Sequence, residues 1–297
     1  MVLYYLLELG RVTAGRLPAA ISYPIAGAAG QAMYYLWCRA RRNMIKSIAA
    51  VLQQDRSSIE VRTNARYGMQ NFCKYIIDLL RYAYPKDGVF ERDIDLIGTE
   101  NIDKALAEGK GVIIVGLHMG NLDLGVRALS HVGYPINAIV HNLGAGQVDR
   151  FVQKPRAHSG IKLISAADGI LQMLTVLKRN EAIAMMIDSP SDGKGVLVKL
   201  GNKHMMAPGG IAAMALRSGA KILPCGLIRS KNTKFHGIIS KPVEFEPSGN
   251  LIEDAKELTQ RTVGALEEMA RIFPDQWYIF HDLVKEDVLN PGTATSV

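Results

Sequence analysis

The chain has 297 residues, 48% of them hydrophobic and 21% charged, with 35 Lys and Arg against 28 Asp and Glu, giving a net charge of +7 and a pI near 9.2. That is ample for a large buried core, as one big α/β domain or as two, and the basic balance fits nucleic acid, an anionic lipid or an acidic cofactor. Cys38, Cys73 and Cys225 form no C-x-x-C pair, zinc spacing or disulfide framework, so a reducing compartment is expected, with no metal and no redox cofactor.

Val2 to Leu9 is apolar except for Glu8, and Leu17 to Cys38 carries no charge at all. The second stretch is long enough to span a membrane, but Pro18, Pro24, Gly27, Gly30 and Gln31 argue against a comfortable span. The extreme N-terminus has neither a charged n-region nor a clean cleavage site, so no secretory signal is expected. Met33, Trp37, Met44, Ile48, Val51 and Leu52 then recur at helical spacing beside Arg39, Arg42 and Lys46. A basic amphipathic helix with Trp and Tyr at its margin reads as an interfacial membrane element, preferred here over a core-facing helix with a solvated basic face. Residues 1–52 are therefore predicted to be membrane-interfacial helices.

Ser57 to Tyr84 predicts a long packing helix, ended by Pro85 and Gly88. Asp95 to Gly98 begins the sheet, and Asn101 to Glu108 is a short helix stopped by Gly109. The central stretch follows, Gly111 to Gly125. The β-branched run Val112-Ile113-Ile114-Val115 predicts a strand buried on both faces, the habit of a parallel sheet. Gly116 and Leu117 lead to His118, with Asp123 five positions on and a helix capped by Asn121 or a neighbour. The histidine thus falls where a buried strand ends, and ligands of open α/β sheets bind beyond the carboxyl ends of the strands.

A neutral imidazole is the usual general base near pH 7, and a carboxylate on its other nitrogen fixes its tautomer. His118 and Asp123 suit that pairing, or equally a capping histidine and a first-turn acid. The chain has no G-x-S-x-G elbow, so the base would activate a hydroxyl of the substrate itself.

Downstream, Tyr134 to Val140 reads as a strand, with a basic helix carrying Arg150, Lys154, Arg156 and His158 and a further strand from Ile161 to Ile164. Gly169 to Arg179 reads as a helix and Ala182 to Ile187 as a buried strand. If the sheet is parallel, that strand delivers Asp188 to the crevice edge that holds His118. A Gly-rich loop with Lys194 comes next, and a helix from Ile211 to Ser218 follows Pro208-Gly209-Gly210; Val196 to Leu200 with Gly201-Asn202-Lys203 resembles a strand and turn of the family named below. Ala220 to Leu227 and Lys234 to Phe245 read as strands, the latter toward the sheet edge, before an amphipathic helix from Glu253 to Ile272. The fold class is α/β, a mostly parallel central sheet flanked by helices and preceded by N-terminal membrane-associated helices. Residues 1–297 form one domain, with its catalytic core over 95–283.

Gly116-Leu117-His118-Met119-Gly120-Asn121-Leu122-Asp123 resembles the H-x4-D/E block of the glycerolipid acyltransferase superfamily. The nearest branch holds the lipid A late acyltransferases (lauroyl/myristoyl type) and the phosphatidylinositol mannoside acyltransferases. Its usual G-H-x-G-N-W-E is matched at His118, Gly120, Asn121 and Asp123, and departed from at Leu117 and Leu122. Asp188-Ser189 stands where relatives have Asp-Gln, Arg156-x-x-x-Gly160 resembles a downstream arginine block, and Pro274 to His281 resembles P-E-Q-W-x-W-x-H. The resemblance runs from about Leu17 to Leu283.

It implies a membrane-associated O-acyltransferase on the cytoplasmic face of the plasma (inner) membrane, peripheral or N-terminally anchored. An acyl chain would pass from acyl-CoA or acyl carrier protein to a hydroxyl of a glycolipid, lipid A-type or phosphatidylinositol mannoside-type. His118 would be the base and Asp123 would orient it, with backbone N–H groups near Gly120 facing the oxyanion. Gly120, Asn121, Arg156, Asp188 and Lys194 would line the substrate site, Arg156 and Lys194 either gripping anionic groups or simply solvating the surface. Trp277 is read as packing and His281 as outside the chemistry. The alternatives are a lysophospholipid acyltransferase, a hydrolase using the same histidine, and a non-catalytic membrane-lipid-binding protein. Nucleic acid is not expected, since no recognition module is present.

Overall fold

The computed structural model describes residues 17–82, 93–140, 161–166, 169–188, 195–230 and 234–285, with 8, 10, 12, 13 and 146. The strands are β1 Ile94–Ile97, β2 Val112–Gly116, β3 Ile136–Val140, β4 Lys162–Ser165, β5 Ala182–Met186, β6 Val196–Leu200, β7 Lys203–Ala207, β8 Lys221–Arg229, β9 Phe235–Ile239 and β10 Val284–Lys285. Around them run helices α1 Ala19–Leu36, α2 Cys38–Leu52, α3 Ile59–Arg81, α4 Thr99–Ala107, α5 Leu122–His131, α6 Gly169–Lys178, α7 Gly210–Ser218 and α8 Leu251–Ile272.

Seven strands make one sheet in the order β1-β9-β8-β2-β5-β3-β4. Every pairing in it is parallel except β8 with β9. The charge-free run of β2 is buried throughout, which is what a strand between two parallel neighbours with helices on both faces demands. The strand expected over 234–245 is shorter, Phe235–Ile239, and it lies toward the sheet edge, between the edge strand β1 and β8. Beyond it Ser240 and Val243 N–H still donate to the Pro224 and Ile222 carbonyls, both at 2.9 Å, while Pro242 between them has no N–H to give. At Gly237, a Cβ would come within 2.6 Å of the Leu96 side chain, so glycine lets β1 take the edge.

Residues 196–207 leave the main sheet. They form the hairpin β6–β7, which β10 extends to the order β10-β7-β6. Its turn at Gly201 has φ 58° and presses on α2, where a Cβ would stand 1.8 Å from the Ala50 carbonyl oxygen. The return strand has little signal in the sequence, because Lys203 to Met206 are half polar.

The N-terminal helices form a layer over the sheet's side. Glycine at position 30 lets α1 lie directly on α3, since a Cβ there would meet the Gln70 Cα at 2.4 Å. The outward face of α1 is inverted in character. Ala20, Ile21, Pro24, Ile25, Ala28, Ala29, Ala32, Tyr35 and Leu36 are all exposed, and none carries a charge or an amide. Among the described residues, no helix is long and apolar enough to cross a membrane. The C-terminal turn Pro274–Gln276 lies between this layer and the sheet, with Asn71 of α3 donating to the Asp275 carbonyl at 3.0 Å.

Candidate functional site

The register of two neighbouring strands builds the site. β2 and β5 run parallel with Gly116 opposite Met186, and Ile187 N–H continues the ladder to the Gly116 carbonyl at 3.1 Å. Two residues past each end stand His118 and Asp188. The equal offset brings them together: His118 Nδ1 lies 2.8 Å from Asp188 Oδ1 across a sequence separation of 70. Asp188 Oδ2 accepts from the His118 backbone N–H at 2.9 Å and from Trp277 Nε1 at 2.8 Å. Asp188 is fully buried, whereas the His118 side chain is 48% exposed. With Asp188 ionised, Nδ1–H is the donor, and Nε2 is left with its lone pair.

The electrostatics agree with that assignment. Burial pushes the Asp188 carboxyl up, but the His118 charge and the His118 and Trp277 donors more than reverse it, leaving it below its ordinary value. Burial also pushes the His118 imidazole down, and the charge and hydrogen bond of Asp188 outweigh that, leaving it above its ordinary value. A base so placed is stronger than free imidazole.

The loop that carries His118 is pinned from two sides. Tyr278 N–H donates to the His118 carbonyl at 2.8 Å, and Gly120 N–H donates to the Gln276 carbonyl at 2.8 Å. Asn121 N–H donates to the Leu227 carbonyl at 2.9 Å, and its side chain accepts from Leu124 N–H at 3.1 Å to cap α5. Gly120 has φ 60°, and a Cβ there would lie 1.8 Å from the Leu227 carbonyl oxygen, so only glycine fits this crossing over β8.

These bonds correct two expectations. The backbone N–H groups of His118, Met119, Gly120 and Asn121 all have acceptors within the protein, so none of the four is left for an oxyanion. Gly120 and Asn121 are buried and hold the loop against β8 and the C-terminal turn. The carboxylate on the His118 ring is Asp188, not Asp123. The chain turns back onto β8 at Gly120 and Asn121, and this carries Asp123 into the first turn of α5, where acid is favourable to a helix N-terminus. Asp188 stands at the same strand edge as His118 and is hydrogen-bonded to its ring. Arg156 and Lys194 lie outside the described residues.

Two features were not assigned from sequence. Trp277 is fully buried and supplies an indole N–H to Asp188, a role beyond packing. The His281 imidazole is half-buried, and its Nε2 has no hydrogen-bond partner among the described residues. Burial pushes its imidazole down, with His118 adding to that and Asp188 opposing it. The resemblance of 274–281 to P-E-Q-W-x-W-x-H was the signal available for both.

Behind the loop lies a second buried carboxylate. Asp78 of α3 accepts from the Tyr23 hydroxyl at 2.6 Å, from Asn121 Nδ2 at 3.4 Å and, closely, from the Arg229 guanidinium. Arg229 stacks over the rings of Tyr23 and Phe235 at 4.9 and 4.7 Å. Gln276 brackets the Arg229 backbone, accepting from its N–H and donating to its carbonyl, both at 2.9 Å. The lone acid among Ile76, Ile77, Leu79 and Leu80 was the sequence signal for this network.

Among the described residues, no group of three or more His, Cys, Asp or Glu is arranged to hold a metal. In comparison with known proteins, a phosphatidylinositol mannoside acyltransferase of Mycolicibacterium smegmatis is 23% identical over 164 residues. The match covers 54% of each chain, so it spans about half the length of that relative. Residues 3–286 match the family described as bacterial lipid A biosynthesis acyltransferase, and over nearly its whole length the chain belongs to that acyltransferase family.

Proposed function

We propose that the protein transfers a fatty acyl chain from acyl-CoA or acyl carrier protein to a hydroxyl of a glycolipid acceptor, lipid A-type or phosphatidylinositol mannoside-type. His118 is the general base and Asp188 its orienting carboxylate. The observation that carries this reading is the 2.8 Å bond between His118 Nδ1 and a fully buried Asp188, with the imidazole half exposed on its other side.

The chemistry follows from that geometry. Nε2 of His118 takes the proton from the acceptor hydroxyl as its oxygen attacks the thioester carbonyl. The tetrahedral intermediate collapses with loss of the thiolate, which recovers the proton from the imidazolium. The products are an ester and a free thiol. Asp188 holds the imidazole in the tautomer that presents Nε2 and stabilises the cation between the two steps. Among the described residues the ring bonds to no hydroxyl or thiol, which favours direct attack by the acceptor over an acyl-enzyme. Arg156 and Lys194 are proposed to grip anionic groups of donor or acceptor.

The N-terminal layer supports a membrane location. The exposed face of α1 offers Ile21, Ile25, Tyr35 and Leu36, and Trp37, Arg39 and Arg42 follow, also exposed. Apolar and aromatic side chains beside exposed arginines suit the surface of an anionic bilayer. We place the protein peripherally on the cytoplasmic face of the inner membrane.

The experiment is transfer from radiolabelled acyl-CoA and acyl carrier protein into a panel of lipid acceptors, with wild type and His118→Ala side by side. Label in a lipid product that the variant fails to form is the expected result. Free fatty acid without acylated lipid would indicate a hydrolase and overturn the reading.

A further inference from the structure

Between α1 and α3 lies a shallow cleft of about 510 Å³, lined by Tyr23, Pro24, Gly27, Ala28, Gln31, Gln70 and Lys74. It shares no lining residue with the His118–Asp188–Trp277 site. One wall is apolar and smooth, and its Pro24 and Ala28 continue onto the charge-free outer face of α1. The other side is polar and electropositive. Lys74 is half-buried and donates to the Asn71 side-chain oxygen at 3.4 Å. Among the described residues Lys74 forms no ion pair within 4.0 Å.

The acids nearby are already engaged. Asp78 is taken by Arg229, Tyr23 and Asn121, and Asp275 accepts from Asn71 at 2.9 Å. Burial pushes the Lys74 ammonium down, Arg229 adds to that, and Asp275 only partly offsets it. A half-desolvated ammonium beside a second cation is stabilised by an arriving anion. Gln31 reinforces this. Its side-chain oxygen accepts from Gln70 at 2.8 Å, which leaves its NH₂ group as a donor at the cleft.

We propose that this cleft binds the phosphate headgroup of a single bilayer phospholipid, anchoring the protein at a site separate from the catalytic crevice. The phosphate meets Lys74 and the Gln31 amide, and the glycerol and chains leave over Pro24 and Ala28 toward the bilayer. The volume lies in the range of small-molecule sites, about 300–1,000 Å³. The occupant is a lipid rather than a soluble phosphate, because the walls opposite Lys74 are apolar and open onto the apolar face of α1. This inference rests on the membrane location proposed above, and it needs no acyl-transfer activity.

The test is calorimetric titration of the full chain with dihexanoylphosphatidylglycerol below its micelle concentration. Dihexanoylglycerol, which lacks the phosphate, and glycerol 3-phosphate, which lacks the chains, are run beside it. Wild type is expected to bind the phospholipid about ten-fold or more tightly than either control. Lys74→Gln removes the charge and Ala28→Phe fills the cleft while keeping the charge; each is expected to weaken phospholipid binding about ten-fold or more, without a fall in melting temperature. Unchanged binding by Lys74→Gln, no binding by wild type, or glycerol 3-phosphate binding as tightly as the lipid would each overturn the proposal. Flotation on phosphatidylcholine vesicles containing phosphatidylglycerol reports the membrane location separately. Its failure in wild type would sink that location, whereas flotation retained with phospholipid titration absent would sink only the cleft.

Discussion

Two fully buried carboxylates flank the loop that carries His118, and the chain uses them in opposite ways. Asp188 pairs with a histidine that is 48% exposed, whereas Asp78 pairs with an arginine that is 11% exposed. Both acids collect several donors, as burial of a charge requires. The difference lies in the partner. Arg229 stays charged and is sealed between Tyr23 and Phe235, so its pair holds α1 and α3 against β8. His118 can lose its proton, and its far side is open. A buried acid facing a closed cation ties elements together, and the proposed chemistry rests on the same kind of acid facing an open, titratable base.

Substitutions can break this contrast. His118→Ala is expected to reduce acyl transfer about 10²–10⁴-fold with little change in melting temperature, read from initial rates and a thermal melt. Asp78→Ala is expected to act on stability instead, since removing one partner of a buried pair costs about 3–5 kcal/mol. Denaturant unfolding measures that cost, and an unfolding midpoint equal to wild type would contradict the structural role. Asp188→Asn keeps the shape of the side chain while removing its charge, and is expected to lower the rate about 10²-fold.

A pH series sharpens the contrast further. The His118 imidazole is raised in the folded state, so its stabilising share is complete below its unfolded value and is lost as pH climbs through the folded one. The Asp188 carboxyl is depressed, so its share is complete above its unfolded value and is lost as pH falls through the folded one. The pair therefore stabilises most between the ordinary carboxylate and imidazole ranges. Activity needs neutral His118 and is expected to rise above that window, while the pair's contribution to stability declines. Melting temperatures of wild type and His118→Gln across this range would test it, and parallel curves would refute the coupling. The smallest effect is expected at Asp123. Asp123→Asn is expected to cost about 0.3–1 kcal/mol as a first-turn acid, with the rate within a few-fold of wild type.

The sheet was legible because β2 and β5 are short apolar runs bounded by glycine and polar turns. His118 was legible because it follows such a run. Its carboxylate partner was not, because spacing along a chain favours Asp123, and the true neighbour is set by parallel register between strands 70 residues apart. Asp188 was named as reaching the same crevice edge, but its distance to His118 is a property of the β2–β5 pairing. The oxyanion expectation failed for a related reason. The Gly120 N–H is held by the Gln276 carbonyl, and the close approach of Leu227 leaves no room for a side chain there. The pairing of Asp78 with Arg229 spans 151 residues, beyond any local pattern.

The most direct measurement is the rate of acyl transfer as a function of pH for wild type and Asp188→Asn. The account expects the wild-type rate to rise through an apparent pKa above that of free imidazole. The variant should have a lower plateau and a limb moved toward lower pH. A variant with the wild-type plateau and limb would contradict the assignment of Asp188 as the group that orients and strengthens His118.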